Sequence, residues 1–174
     1  MPRTVIIIRH AAPAVRPDRS PESWPLSAAG RRAAGRLRGQ VPSVALLASS
    51  RELKAVQTVS LVAGVAPAAI HQDDHFGEVH RPDEPFDDDH RARRRAWVEE
   101  RRDERHTSWE TPQEAGRRFQ EGLDNLDVET IVVGTHGMVL TAWLMTIGYV
   151  ARGASAGDFW ERLPFPDLLV VSRP

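Results

Sequence analysis

Four short apolar runs set the constraint that any fold of this chain must meet. TVIIIRH (4–10), VALLASS (44–50), TIVVGTHG (130–137) and DLLVVSR (167–173) are dense in Val, Ile and Leu and do not alternate with polar residues. Strands buried on both faces read this way, and a parallel sheet buries both faces because helices cover each side. Helical patterns lie between the runs. LSAAGRRAAGRLRGQ spaces Leu26, Ala29, Ala33 and Leu37 by three and four residues, with Ser27 as an N-cap. RELKAVQTVSLVAG runs to Gly64, a residue suited to a helix end. TPQEAGRRFQEGLDNL opens on a capping box from Thr111 to Glu114, carries Pro112 in the first turn, and aligns Ala115, Phe119, Leu123 and Leu126. MVLTAWLMTIG stops near Gly148. Strands alternating with helices predict an α/β fold, a three-layer α/β/α sandwich around a mostly parallel central sheet with right-handed crossovers.

A length of 174 residues suits one domain, so 1–174 is expected to fold as a unit. Residues 71–110 differ from the rest: they are polar, acidic in the first half and basic in the second, and carry no strand pattern. They predict a cap, partly loop and partly a helix over 89–103, lying over the carboxyl edge of the sheet. The absence of cysteine excludes disulfides, thiolate catalysis and sulfur-ligated zinc. No run approaches the roughly 20 apolar residues of a spanning helix, and a net charge of −1 offers no general attraction to nucleic acid or anionic lipid. The expectation is a cytoplasmic protein with neither a nucleic-acid nor a membrane partner, its oligomeric state open. Lys54 is the lone lysine among 23 basic residues.

The carboxyl ends of parallel strands share one edge, so Arg9-His10, Ser49-Ser50 and Thr135-His136-Gly137 converge on one crevice. A single histidine at a strand end is more often structural than catalytic. Two that end two strands, one beside an arginine, tip the balance toward chemistry on an anion, phosphate being the commonest. His71 and His75 bracket Asp73 and Asp74 at a helical metal spacing, but that segment has no apolar helical face and no clear third ligand, so no metal is expected. The basic stretch RARRRAWVEERRDER is interrupted by Glu99, Glu100, Asp103 and Glu104 and reads as a solvated helix. Trp97, Trp109, Trp143 and Trp160 read as packing residues. Glu78, beside Phe76 and Val79, is the carboxylate expected to have a raised pKa, ahead of Glu84, Asp87, Asp88 and Asp89. No Gly-x-Gly-x-x-Gly follows the first strand, which argues against a dinucleotide-binding oxidoreductase.

The same segments resemble, in order, those of the histidine phosphatase superfamily, the phosphoglycerate mutase-like proteins. IIIRHAAP resembles the Arg-His-Gly signature, and LSAAGRRAAGRL the Leu-Thr-x-x-Gly-x-x-Gln-Ala segment after it. LLASSRELKAVQTV resembles the Ser-Ser-x-x-x-Arg-Ala-x-Gln-Thr block, and FGEVHRP the stretch with the acidic proton donor. WETPQEAGRRF resembles the Gly-Glu-Ser helix opening and VVGTHG the second histidine block. Ala11 stands where the family has glycine, and Lys54 where it has its second arginine, with Arg51 a rival for that role. The resemblance implies a phosphoglycerate mutase-like fold and a metal-independent phosphomonoesterase, free of cofactors, acting on a small phosphorylated metabolite. His10 would be the nucleophile, forming a phosphohistidine; Arg9, Lys54 and His136 would hold the phosphoryl oxygens; Glu78 would be the general acid. Two alternatives stay open: mutase-type return of the phosphoryl group to a second hydroxyl, which the short chain disfavours, and a phosphate sensor weakened by Ala11 and Lys54. The residues that select the substrate are expected in 71–110.

Overall fold

The β-branched runs satisfy their backbone hydrogen bonds in one sheet and bury side chains on both of its faces. In the computed structural model, which describes residues 3–173, the strands are β1 (Arg3–Arg9), β2 (Leu46–Ser49), β3 (His71–Gln72), β4 (Thr130–Thr135) and β5 (Asp167–Arg173). Their order is β3-β2-β4-β1-β5, with β5 antiparallel to β1 and the other neighbours parallel. Strand β3 falls where no strand was expected. It is two polar residues long, paired with Ala48 and Ser49, too short to leave a periodicity in the sequence.

Alternation along β1 divides the core. Ile6 and Ile8, with Val132, pack beside α1 (Ala28–Arg36) and α2 (Leu53–Ala63) through Ala34, Val56, Val59 and Val62. Val5 and Ile7, with Ile131 and Val133, join the cluster formed with α3 (His90–Val98), α4 (Pro112–Asp124), α5 (Gly137–Thr146) and α6 (Ala154–Arg162). The result is a three-layer α/β/α arrangement. Helix α5 is buried from Gly137 to Met145, which explains its lack of a polar face. The four tryptophans read as packing residues are all buried.

Local signals set the helix ends. Ser27 Oγ accepts from Gly30 N at 3.0 Å, Thr111 and Glu114 form the reciprocal capping box, and Gly64 ends α2 at φ 71°. The buried stripe of α1 is Gly30 and Ala34, one residue on from the expected Ala29 and Ala33; Ala29 is exposed. Close approach to the backbone causes the shift: Ser27 donates to Ala12 O through both N and Oγ, each at 3.0 Å. Helix α3 stops at Val98, short of the expected 103, where Glu100 turns to φ 61°. Its arginines pair with acids of the same chain, Arg93 with Asp87 at 2.9 Å and Arg94 with Glu84 at 2.8 Å, while Arg95 meets Asp158 of α6 at 2.7 Å. Helix α6 has no counterpart in the sequence reading. Among the described residues, no helix is long and apolar enough to cross a membrane.

Gly30 ties this packing to the strand-end loop, because a Cβ there would lie 2.2 Å from Ala12 O. Gly30→Ala is expected to cost about 1–3 kcal/mol of stability through overpacking and to weaken any activity that depends on the loop beyond His10. An unchanged unfolding midpoint in a denaturant titration would contradict this.

Candidate active site

The sheet carries its register past the strand ends. Arg9 lies opposite Thr135 and Ser49 opposite Gly134. His10 N then donates to Thr135 O and Ser50 N to Gly134 O, both at 3.0 Å. His10, Ser50 and His136 are thus set by ladder hydrogen bonds on three adjacent strands. The two imidazole centroids are 5.1 Å apart, and both rings are buried. Nδ1 of His10 lies 2.8 Å from Ala11 O, an atom that can only accept, so Nδ1 holds the proton and Nε2 keeps its lone pair. Burial pushes the His10 pKa well below the ordinary value, and the neighbouring His136, Lys54 and Arg9 push the same way. Burial also lowers His136, against the pull of Glu52 and Glu78. Ala11, fully buried, is not among the residues with positive φ, so its methyl meets no left-handed strain. Its N–H donates to Thr58 Oγ1 at 3.0 Å.

Arg9 reaches Leu163 O through Nη1 and stacks on Phe165, its Cζ 3.5 Å from the ring centroid. Burial pushes it down to about 10, which leaves it charged at neutral pH. Phe165 also lies against His10, with centroids 5.3 Å apart, and remains 43% exposed. Lys54 is buried, donating to Pro21 O at 2.8 Å and pairing with Glu52. Arg51 is not its equivalent: it is exposed and pairs with Asp74 at 3.0 Å.

Two carboxylates share this pocket. One oxygen of Glu52 meets Lys54; the other lies 3.2 Å from His136 Nε2 and accepts from Glu78 N at 3.1 Å. His136 Nε2 is also 2.8 Å from Ser50 Oγ. The carboxylate of Glu78 accepts from Val79 N at 2.9 Å, Val139 N at 3.0 Å and Met138 N at 3.3 Å, so it sits on the N-terminus of α5. Burial disfavours its charge, but Arg81, His136 and the Val79 amide outweigh burial, and its pKa is lowered. The expectation of a raised pKa is therefore corrected. Apolar neighbours in the sequence signalled desolvation, but not the helix amides or the arginine that compensate for it. Of the four rival acids, two are held in ion pairs within the 71–110 segment, Glu84 with Arg81 and Arg94 and Asp87 with Arg93. Asp73 is tied to His75 at 2.7 Å and stands 3.8 Å from His71. Beside Glu78 opens a cavity of about 600 Å³ lined also by His80, Trp109, Glu110 and Arg118.

Sequence reasoning placed Arg9, His10, Lys54, Glu78 and His136 at this edge, and the structure brings them together. It missed Glu52 and Phe165. Glu52 follows a strand end by three residues in SSRE, a position that could have been flagged; Phe165 arrives from a loop whose sequence carries no such mark.

The family model for the histidine phosphatase superfamily (branch 1) matches residues 5–162. No curated protein sequence matches the chain. Solved structures share its fold at low identity. YhfR of Bacillus stearothermophilus aligns with a TM-score of 0.72 at 20% identity, over 97% of this chain and 90% of its own. Phosphoglycerate mutase of Bacillus anthracis gives 0.70 at 12%, over 98% and 88%. Mycobacterial glucosyl-3-phosphoglycerate phosphatase gives 0.68 at 14%, over 99% and 91%.

Two measurements test this electrostatic arrangement. Lys54, His136 and the Glu78 amide hold Glu52 down to about 2 against the effect of burial. The unfolded chain takes up this proton near 4.5 and the folded chain only near 2. The stabilisation is therefore complete above pH 4.5 and drains away toward pH 2, by on the order of 3 kcal/mol. Acid unfolding of Glu52→Gln should lack that part of the slope; a slope equal to the parent's would contradict it. Lys54→Ala should cost about 3–5 kcal/mol by leaving a buried carboxylate without its partner, whereas Arg51→Ala should cost less than about 1 kcal/mol as a surface pair. The reverse order in urea titrations would place the cation wrongly.

Proposed function

The chain belongs to the histidine phosphatase superfamily, and from that membership we propose a metal-independent phosphomonoesterase acting through a phosphohistidine on His10. The observation that carries the reading is the His10 tautomer. Ala11 O holds Nδ1–H at 2.8 Å and leaves the Nε2 lone pair unprotonated on a ring whose centroid is 5.1 Å from that of His136. Nε2 attacks phosphorus, the ester oxygen leaves with the P–O electron pair and takes a proton, and a phosphohistidine remains. Water then attacks phosphorus, the N–P bond breaks back to His10, and inorganic phosphate departs. Arg9, Lys54 and His136 hold the charge of the three equatorial oxygens.

Glu78, ionised at rest, is suited to take the proton from water in the second step. In the first step it must first become an acid. A phosphoryl dianion bound close by raises a carboxyl pKa by like-charge repulsion, which brings Glu78 toward that role. The similarity to a glucosyl-3-phosphoglycerate phosphatase supports a small phosphorylated substrate. The 71–110 segment, which supplies Glu78, is the place proposed for substrate selection.

With a chelator present, the protein should release phosphate from nitrophenyl phosphate, and His10→Ala should abolish release while leaving the circular dichroism spectrum unchanged. The trapped phosphate should be acid-labile, base-stable and located on His10; trapping on His136 would overturn the assignment. Isomerisation of a phosphoglycerate without phosphate release would favour the mutase reading, and phosphate binding without any turnover the sensor. Glu78→Gln should slow substrates with poor leaving groups by about 10²–10⁴-fold and nitrophenyl phosphate by less. Equal losses on both would make Glu78 structural.

A further inference from the structure

The cations assigned to the phosphoryl group already hold an anion. The two oxygens of Glu52 engage Lys54 and His136, two of the three groups proposed to hold the phosphoryl oxygens, and one of them also accepts from Glu78 N. We propose that Glu52 is a resident counter-ion which the phosphoryl group of the substrate must displace from Lys54 and His136, and that it thereby sets the pocket's affinity for phosphate dianions. The inference rests on the phosphatase reading above and adds to it a specificity-determining residue.

Three observations carry it. Glu52 stands at the head of α2 with its side chain only 13% exposed, and its carboxylate makes no cap bond to that helix but turns to Lys54, His136 and the Glu78 amide. Its position is therefore explained by the pocket and not by the helix it begins. Second, two carboxylates already face the cations of the pocket: Glu52 pairs with Lys54 and lies against His136, and Glu78 lies near Arg81 and His136. A dianion entering with Glu52 in place meets the repulsion of a carboxylate already seated on Lys54 and His136. Third, Arg9 Nε and His136 Nδ1 are buried without hydrogen-bond partners, so the polar capacity of the site is not exhausted by Glu52.

The test is direct titration of the full-length protein with inorganic phosphate by calorimetry, alongside KM for nitrophenyl phosphate. Glu52→Gln and Glu52→Leu should bind phosphate at least about tenfold more tightly than the parent, because one like charge at contact distance is removed from a partly enclosed site. KM should fall in parallel. Glu52→Asp, which keeps the charge, should bind as weakly as the parent. Thermal melts identify which variants are folded, and the apolar Leu replacement serves if Gln does not fold. Phosphate affinity that is unchanged or weaker in a folded variant, with kcat reduced, would overturn the proposal and make Glu52 a residue that positions Lys54 and His136. If the parent turns over its substrate but no variant gains affinity, only this inference falls. If the parent neither binds phosphate nor turns over substrate, and the variants do not either, both readings fall.

Discussion

The hydrogen bonds from His10 N to Thr135 O and from Ser50 N to Gly134 O decide what the rest of the molecule can do. They extend the parallel ladder by one residue beyond β1 and β2, so that His10, Ser50 and His136 inherit the spacing of the strands. Neighbouring strands lie roughly 4.8 Å apart, and the imidazole centroids of His10 and His136 are 5.1 Å apart. Backbone register, and not loop conformation, brings the two rings together. The loop that leaves His10 is held by another main-chain anchor, Ala12 O accepting twice from Ser27 at the start of α1. A small helix face, Gly30 and Ala34, makes that approach possible.

On this frame the sequence assembles opposite charges in unequal depth. The cations sit at the sheet edge itself, Arg9 on β1 and Lys54 on α2. The carboxylates come from the connections: Glu52 just after β2, and Glu78 from the segment between β3 and α3. Glu78 takes the N-terminus of α5, the place where a phosphate group would otherwise find free amides. The free donors of the α5 N-terminus and of Lys54 therefore meet carboxylates of the same chain. On the proposal above, an incoming phosphoryl group must offer Lys54 and His136 more than the carboxylate it replaces.

Legibility followed physical periodicity. Strands β1, β2, β4 and β5, the Thr111–Glu114 box and the end of α2 at Gly64 depend on neighbours close in sequence, and their residues announced them. Strand β3 depends on β2 and has only two residues, so nothing local marked it. The stripe of α1 was displaced by one because it meets a backbone atom, Ala12 O, and small residues on that face carry no hydrophobic signal. At the site, residues at strand ends were legible through topology. Glu52 was not, since its role arises from a side chain that turns to Lys54 and His136, and Glu78 was given the wrong charge preference because desolvation beside Phe76 and Val79 was weighed without Arg81, His136 and the Val79 amide, which outweigh it.

Lys54 and Glu52 are best understood as one arrangement. A planar guanidinium at position 54 would present a fork of five donors, and a single pocket would have to satisfy them. Lys54 asks for less: its ammonium reaches Glu52 and Pro21 O from a buried position with a compact charge. The Pro21 carbonyl in turn belongs to the turn Pro21–Ser23, which leads to Trp24, edge-on to Phe86 of the 71–110 segment with centroids 6.4 Å apart. Buried Lys54 is thus joined through one backbone carbonyl to the contact between that turn and the 71–110 segment.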